Sequence, residues 1–199
     1  MLTLTMDKKE ELMKFLDDHT IVTVGEGRKL GINPMMLSRL TANGMIYRVE
    51  HGVYTRQMDW LTDHLKKYIV ACTLYPSAVI CGVSALTYYD LTDEEERQVW
   101  IALPAPKIIH NPHYRVIRPS GSAYTLGVER HVFGKRTVRI YDLEKTVVDS
   151  FKYHTEEVAL KALKRYLKMK NRNIEKLCDY ARRLKKPLDE MVAVLQADE

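Results

Sequence analysis

Apolar residues first recur at helical spacing in residues 7–16, where Leu12, Met13, Phe15 and Leu16 predict a first helix. Residues 23–30 predict a second, stopped at Gly31, where a glycine supplies a left-handed cap. Asn33-Pro34 opens a third: Asn is a good N-cap, and Pro fits the first helical position, where no N–H is needed. Leu37 and Leu40 lie three apart and share the face turned toward the other helices. Asn43-Gly44 ends this helix. Residues 45–49, a turn at Glu50-His51-Gly52, and residues 53–55 predict a short hairpin. The pattern resets around Gln57 to Asp59, so the expected domains are 1–58 and 59–199.

The second domain opens with helical periodicity over residues 63–74, stopped by Pro76. A short buried strand is expected at 78–81, then a helix through Ser84-Ala85-Leu86 with Ser84 as its cap. Strands are expected at 99–103, 114–118, 128–133 and 137–141, the last two joined by Gly134-Lys135-Arg136. From Asp142 onward the pattern is helical, with starts marked by Asp142, Thr155 and Asn173. The fold class is therefore α+β: an N-terminal winged helix-turn-helix domain, then a mixed α/β domain with a small sheet and a helical C-terminal third.

Composition narrows the class. Hydrophobic residues make up 46% of the 199 and charged residues 29%, ordinary for a soluble globular chain. No apolar run approaches the roughly 20 residues of a membrane span. The acid-containing N-terminus is unlike a targeting peptide. The three cysteines, Cys72, Cys81 and Cys178, are scattered among apolar neighbours and read as buried small hydrophobes. A cytoplasmic location is expected. The net charge of +5 is concentrated: residues 161–186 hold eleven basic side chains and two acidic ones, while the first 58 residues are near balance. Such asymmetry points to a polyanionic partner.

A winged helix reads DNA with a short helix that offers polar side chains to the major groove above a buried apolar ridge. Asn33, Met35, Ser38 and Arg39 are expected to face outward, with Arg39 able to donate two bonds to a guanine edge. Arg48 and His51 on the wing could reach phosphate or the minor groove. Between Arg28 and Arg56 basic residues outnumber acidic ones, which favours DNA over the alternative of a protein adaptor. Further along, Lys161, Lys164, Arg165 and Lys168 fall at i, i+3, i+4 and i+7 and form one helical stripe, continued by Lys170 and Arg172. Like charges at that spacing disfavour a helix by roughly 0.2–0.5 kcal/mol per pair, so the stripe reads either as a phosphate track or as a solvated face.

No pattern calls for catalysis. Asp142, Glu144 and Asp149 are close in sequence, but Asp142 reads as a cap and Glu144 as a first-turn acid. Two carboxylates two turns apart are weak evidence of a metal. His110 and His113 read as a surface loop, and Asp90 lacks the paired acid of a nucleotidyltransferase site. The expectations are no enzyme activity, no metal and no cofactor.

The segment LGINPMMLSRLTANGMIYRVEHGVY resembles the N-terminal domain of AbiEi-family antitoxins, with a Leu-x-x-Leu recognition helix and an Arg-Val-x-x-Gly-Val-Tyr wing. ICGVSALTYYDLTDE, RIYDLEKTVVDSFKYH and ALKALKRYLKMKNRNIEKLCDYARRL resemble the family's second domain. The resemblance implies the antitoxin of a type IV toxin–antitoxin pair linked to abortive phage infection. It implies an N-terminal domain that binds inverted repeats in its own promoter and represses the operon. The second domain is then expected to counter an AbiEii-like nucleotidyltransferase toxin without a stable complex. The protein itself is expected to be a monomer, with two copies on an inverted-repeat operator. A nucleic-acid-processing enzyme with a winged-helix targeting domain is the alternative. The expected DNA-binding residues are Arg28, Asn33, Met35, Ser38, Arg39, Arg48, His51, Lys161, Lys164, Arg165, Lys168 and Arg172.

Overall fold

A computed structural model describes residues 2–56, 64–106 and 109–197. The chain divides into two compact units: residues 1–74 with 132–137, and residues 75–131 with 138–199. The boundary expected at 57–59 lies outside the described residues.

The first unit runs α1 (Leu2–His19), β1 (Ile21–Thr23), α2 (Val24–Lys29), α3 (Pro34–Ala42), β2 (Tyr47–Glu50), β3 (Val53–Thr55) and α4 (His64–Leu74). Helix α1 extends beyond the expected 7–16. Three helices and a hairpin appear in the expected order, and a strand the sequence did not suggest joins them. β1 pairs antiparallel with β3, from Ile21↔Thr55 to Thr23↔Val53, so the sheet order is β1-β3-β2. Three residues offer no period to read. Leu12, Leu16, Val22, Ile32, Leu37, Leu40, Ile46 and Tyr54 form the core of this unit.

The second unit contains β4 (Val79–Ile80), α5 (Gly82–Tyr88), β5 (Val99–Ala102), β6 (Tyr114–Ile117), α6 (Ser122–Thr125), β7 (Val128–Phe133) and β8 (Arg136–Tyr141), whose hairpin tip counts with the first unit. Helices α7 (Leu143–Tyr153), α8 (Glu156–Leu167), α9 (Ile174–Arg183) and α10 (Asp189–Ala197) follow. The five strands are ordered β6-β5-β4-β8-β7. The sheet is mixed: β4 runs antiparallel to β5 and parallel to β8, while β5 and β6 are parallel. The protein is therefore α+β. Leu86, Val147, Leu163, Tyr166 and Leu177 belong to the helical core, and Val79, Trp100 and Tyr141 to a smaller cluster that includes sheet residues. All three cysteines are buried and stand outside any disulfide.

One cap is corrected. Ser84 does not start α5; Cys81 holds the N-cap position without a side-chain bond. Ser84 lies buried inside the helix, where its hydroxyl accepts from Trp100 N at 2.8 Å and donates to Glu96. The helix begins at Gly82 because its φ of +53° and the Trp100 indole, which a Cβ would strike, demand a glycine there.

Candidate nucleic-acid interface

Local chemistry fixes α2 and α3. Thr23 and Glu26 close a capping box: Thr23 Oγ1 accepts from Glu26 N at 3.1 Å, and Glu26 Oε2 accepts from Thr23 N at 2.8 Å. Burial raises the pKa of Glu26, but the hydrogen bonds and charge of Arg136, together with Thr23, outweigh it and hold the carboxyl below its ordinary value. Arg136 sits on the 132–137 tip of this unit, with Nη1 2.7 Å from Glu26 Oε1. Gly31, at φ +70°, turns the chain out of α2, and Asn33 Oδ1 accepts from Met36 N at 2.8 Å to start α3.

Helix α3 has two distinct faces. Leu37 and Leu40 are buried, as their spacing predicts. Met35 is 65% exposed, and Asn33, Ser38 and Arg39 are exposed beside it. Two of these four are partly occupied within the helix: Asn33 Oδ1 is the cap, and the Ser38 hydroxyl donates to Pro34 O at 3.0 Å. The guanidinium of Arg39 has no partner among the described residues, and its five N–H donors are available to a ligand. Arg28 is also exposed. On the hairpin, Arg48 Nη2 lies 2.6 Å from His51 Nδ1, and Arg48 Nε donates to Glu50 O at 3.3 Å. Because guanidinium only donates, Nδ1 of His51 must accept, which places that ring's proton on Nε2. The wing residues thus form one braced pair, with a bulge between Arg48 and Glu50.

The second unit modifies the picture of the basic stripe. Ala159, Leu163, Tyr166 and Leu167 are buried on α8, as expected. The stripe itself is not free of acids: Lys161 Nζ lies 2.7 Å from Glu157, one turn earlier, and Arg165 pairs with Asp93. The hydrogen bond from Arg165 and then its charge hold the Asp93 carboxyl below its ordinary value, and Lys161 does the same for Glu157. Sequence spacing within 161–186 could not reveal either acid, since one precedes the run and the other is brought in by the fold. Lys164 and Lys168 remain exposed, without partners among the described residues. Arg172 donates to Met169 O at 2.9 Å.

The acids of YDLEKTVVD are held by cations. Asp142 caps α7 through Lys145 N at 2.8 Å, and its Oδ2 lies 3.0 Å from Lys176 Nζ and 3.1 Å from Tyr180 Oη. Glu144 lies 2.8 Å from Lys176 Nζ and accepts from Tyr166 at 3.2 Å. Asp149 pairs with Lys145. Burial works against the charge of Lys176, yet the hydrogen bonds to Glu144 and Asp142 raise its pKa. His113 N donates to Asn111 Oδ1 at 3.0 Å in a loop turn. Among the described residues no group of three or more His, Cys, Asp and Glu side chains is placed to hold a metal ion. No described helix is long and apolar enough to cross a membrane.

A short capped helix with a buried ridge and an exposed arginine, in one unit with a small sheet, has the layout of a winged helix-turn-helix. Residues 10–57 match the family model described as "Transcriptional regulator, AbiEi antitoxin", so this segment is similar to the domain of that family. The match runs from within α1 through β3, and α4 and the second unit lie outside it. No curated protein matches the chain.

Proposed function

We propose that the protein is a DNA-binding repressor of its own operon and the antitoxin of a type IV pair. Its first unit acts as a winged helix-turn-helix: α3 enters the major groove, with Arg39 on base edges and Asn33, Met35 and Ser38 beside it. Arg28, Arg48 and His51 contact the phosphate backbone. Two copies occupy an inverted repeat. The second unit counters a nucleotidyltransferase toxin without forming a stable complex with it, and uses no catalytic residue or cofactor.

The observation that carries this reading is the exposed, unpartnered Arg39 above the buried Leu37–Leu40 ridge, inside the segment that matches a family of transcriptional regulators. A gel shift with the DNA upstream of the protein's own gene tests it. Wild type should bind that fragment in preference to random DNA, and Arg39→Ala should weaken specific binding by about 1–3 kcal/mol. The same variant should still rescue cells from the cognate toxin. Equal binding of operator and random DNA by both proteins would sink the repressor reading.

A further inference from the structure

A pocket of about 290 Å³ opens in the second unit, lined by the segment 120–123, by α7 and by the C-terminal end of α9. Its floor is the buried Lys145–Asp149 pair, with Lys145 Nζ also 4.4 Å from the centre of the Tyr141 ring. Its wall and rim carry Lys152, Arg183, Lys185 and Lys186, and the serines 120 and 122. Five cations therefore face one carboxylate. Burial pushes the Asp149 carboxyl above its ordinary value, against the pull of Lys145.

Basic residues after a helix often serve only to offset the negative end of the helix dipole. Two features separate this cluster from that role. Lys185 stands at the position where α9 turns into the left-handed region, with φ +57°. Its N–H bonds Arg182 O at 3.0 Å and that of Lys186 bonds Ala181 O at 2.8 Å, a Schellman cap in which glycine is the usual residue. A lysine there keeps a cation at the pocket while carrying backbone strain that glycine would relieve. The surplus also lines one cavity from separate elements: Lys152 comes from α7, whose buried Lys145 and Asp149 line it too, while Lys185 and Lys186 follow the end of α9. Charges that converge from separate elements concentrate the field in the space between them. Two members are partly committed: Arg183 lies 3.4 Å from Asp179, and Lys152 Nζ lies 5.1 Å from the centre of the Tyr153 ring.

We propose that this pocket binds the phosphate chain of a free nucleotide or inorganic polyphosphate. Its phosphates lie between Lys152 and the Lys185–Lys186 pair, the serine hydroxyls donate to phosphate oxygens, and the floor cation acts through space without direct contact. The volume sits at the small end of the roughly 300–1,000 Å³ range of ligand pockets, which suits a phosphate chain with any base left outside. The phosphates of a duplex lie on a convex surface and cannot follow the chain into such a concavity. The site does not depend on the operator-binding reading.

The experiment is calorimetry on the full chain with inorganic tripolyphosphate at low salt. Competition arms use a nucleoside triphosphate, a nucleoside monophosphate and a short random duplex. Tripolyphosphate should bind, the triphosphate should displace it, the monophosphate should displace it poorly, and the duplex should not. Lys185→Gln with Lys186→Gln should weaken binding by about tenfold or more, as expected when charge-assisted hydrogen bonds to phosphate are removed. Lys14→Gln with Lys67→Gln removes the same charge outside the pocket and should leave affinity unchanged. All four positions lie away from the buried floor, and thermal melting confirms folding. Absence of tripolyphosphate binding, equal weakening in both double variants, or displacement by the duplex would each overturn the proposal.

Discussion

His154 shows how a single side chain sets a dependence on pH. Its ring stacks on Trp100 with centroids 4.9 Å apart, and Arg115 lies 4.2 Å from the centre of the same indole. Nε2 is buried and has no hydrogen-bond partner among the described residues. Burial first, and the charge of Arg115 second, hold its pKa below the ordinary 6.5. The folded state therefore favours the neutral ring, so the stabilising contribution is complete above the unfolded value and is lost as pH falls through the folded one. Urea midpoints measured at about pH 7.5 and about pH 5.5 should show a drop in wild type that is smaller in His154→Phe, which keeps the stack and cannot protonate. Equal drops would assign the acid sensitivity to other groups. The sequence shows His154 only as the residue after a helix; the Trp100 and Arg115 that tune it are brought by β5 and β6.

At the scale of elements, helix starts are the most legible features. Asn33, Asp142, Thr155 and Asn173 each cap the helix that their sequence position predicts, because this chemistry acts within three residues. What escapes the sequence depends on partners far along the chain. β1 exists through its pairing with β3, and Ser84 reads as a cap because nothing local shows Trp100 N approaching its hydroxyl. Lys145 likewise hides between the cap of α7 and its buried face. Asp142 joins both kinds of information, since it caps α7 and also binds Lys176 and Tyr180 of α9. Asp142→Ala should destabilise the protein by roughly 1–3 kcal/mol, since α7 loses its cap and the part-exposed Lys176 loses one of its two carboxylates while keeping Glu144. Asp142→Asn retains the capping oxygen and should fall between Ala and wild type in denaturant titrations. An Asn variant as unstable as Ala would show that the cap contributes little and the charge nearly everything.

For the molecule as a whole, the positive surplus of residues 161–186 is only partly uncommitted. Of the four expected stripe residues, Lys161 and Arg165 are already paired, so if the stripe meets DNA as proposed, the counterion release would come chiefly from Lys164 and Lys168. Lys164→Gln with Lys168→Gln should weaken binding to operator and random DNA alike. It should also make the slope of log affinity against log salt shallower, by roughly 0.9 for each phosphate no longer neutralised. Lys161→Gln with Arg165→Gln should change the slope less, because those cations surrender an existing acid before meeting a phosphate. Equal slopes in wild type and both variants would make the stripe a solvated face. The surplus of positive charge is plain in the sequence. Which members of it are committed is not, because Asp93 reaches Arg165 only through the fold.

The parallel pairing of β4 with β8 sets a timetable for synthesis. Ile80 meets Ile140, and β4 lies between β5 and β8 in the finished sheet. A ribosome working at about 5–20 residues per second leaves the apolar pair Val79–Ile80 waiting roughly 3–12 s for its second neighbour. Throughout that interval one hydrogen-bonding edge of β4 is open to any other extended chain. Slow decoding between β5 and β8 would lengthen the exposure, so synonymous codon choice in that stretch bears on how much of the newly made protein escapes aggregation.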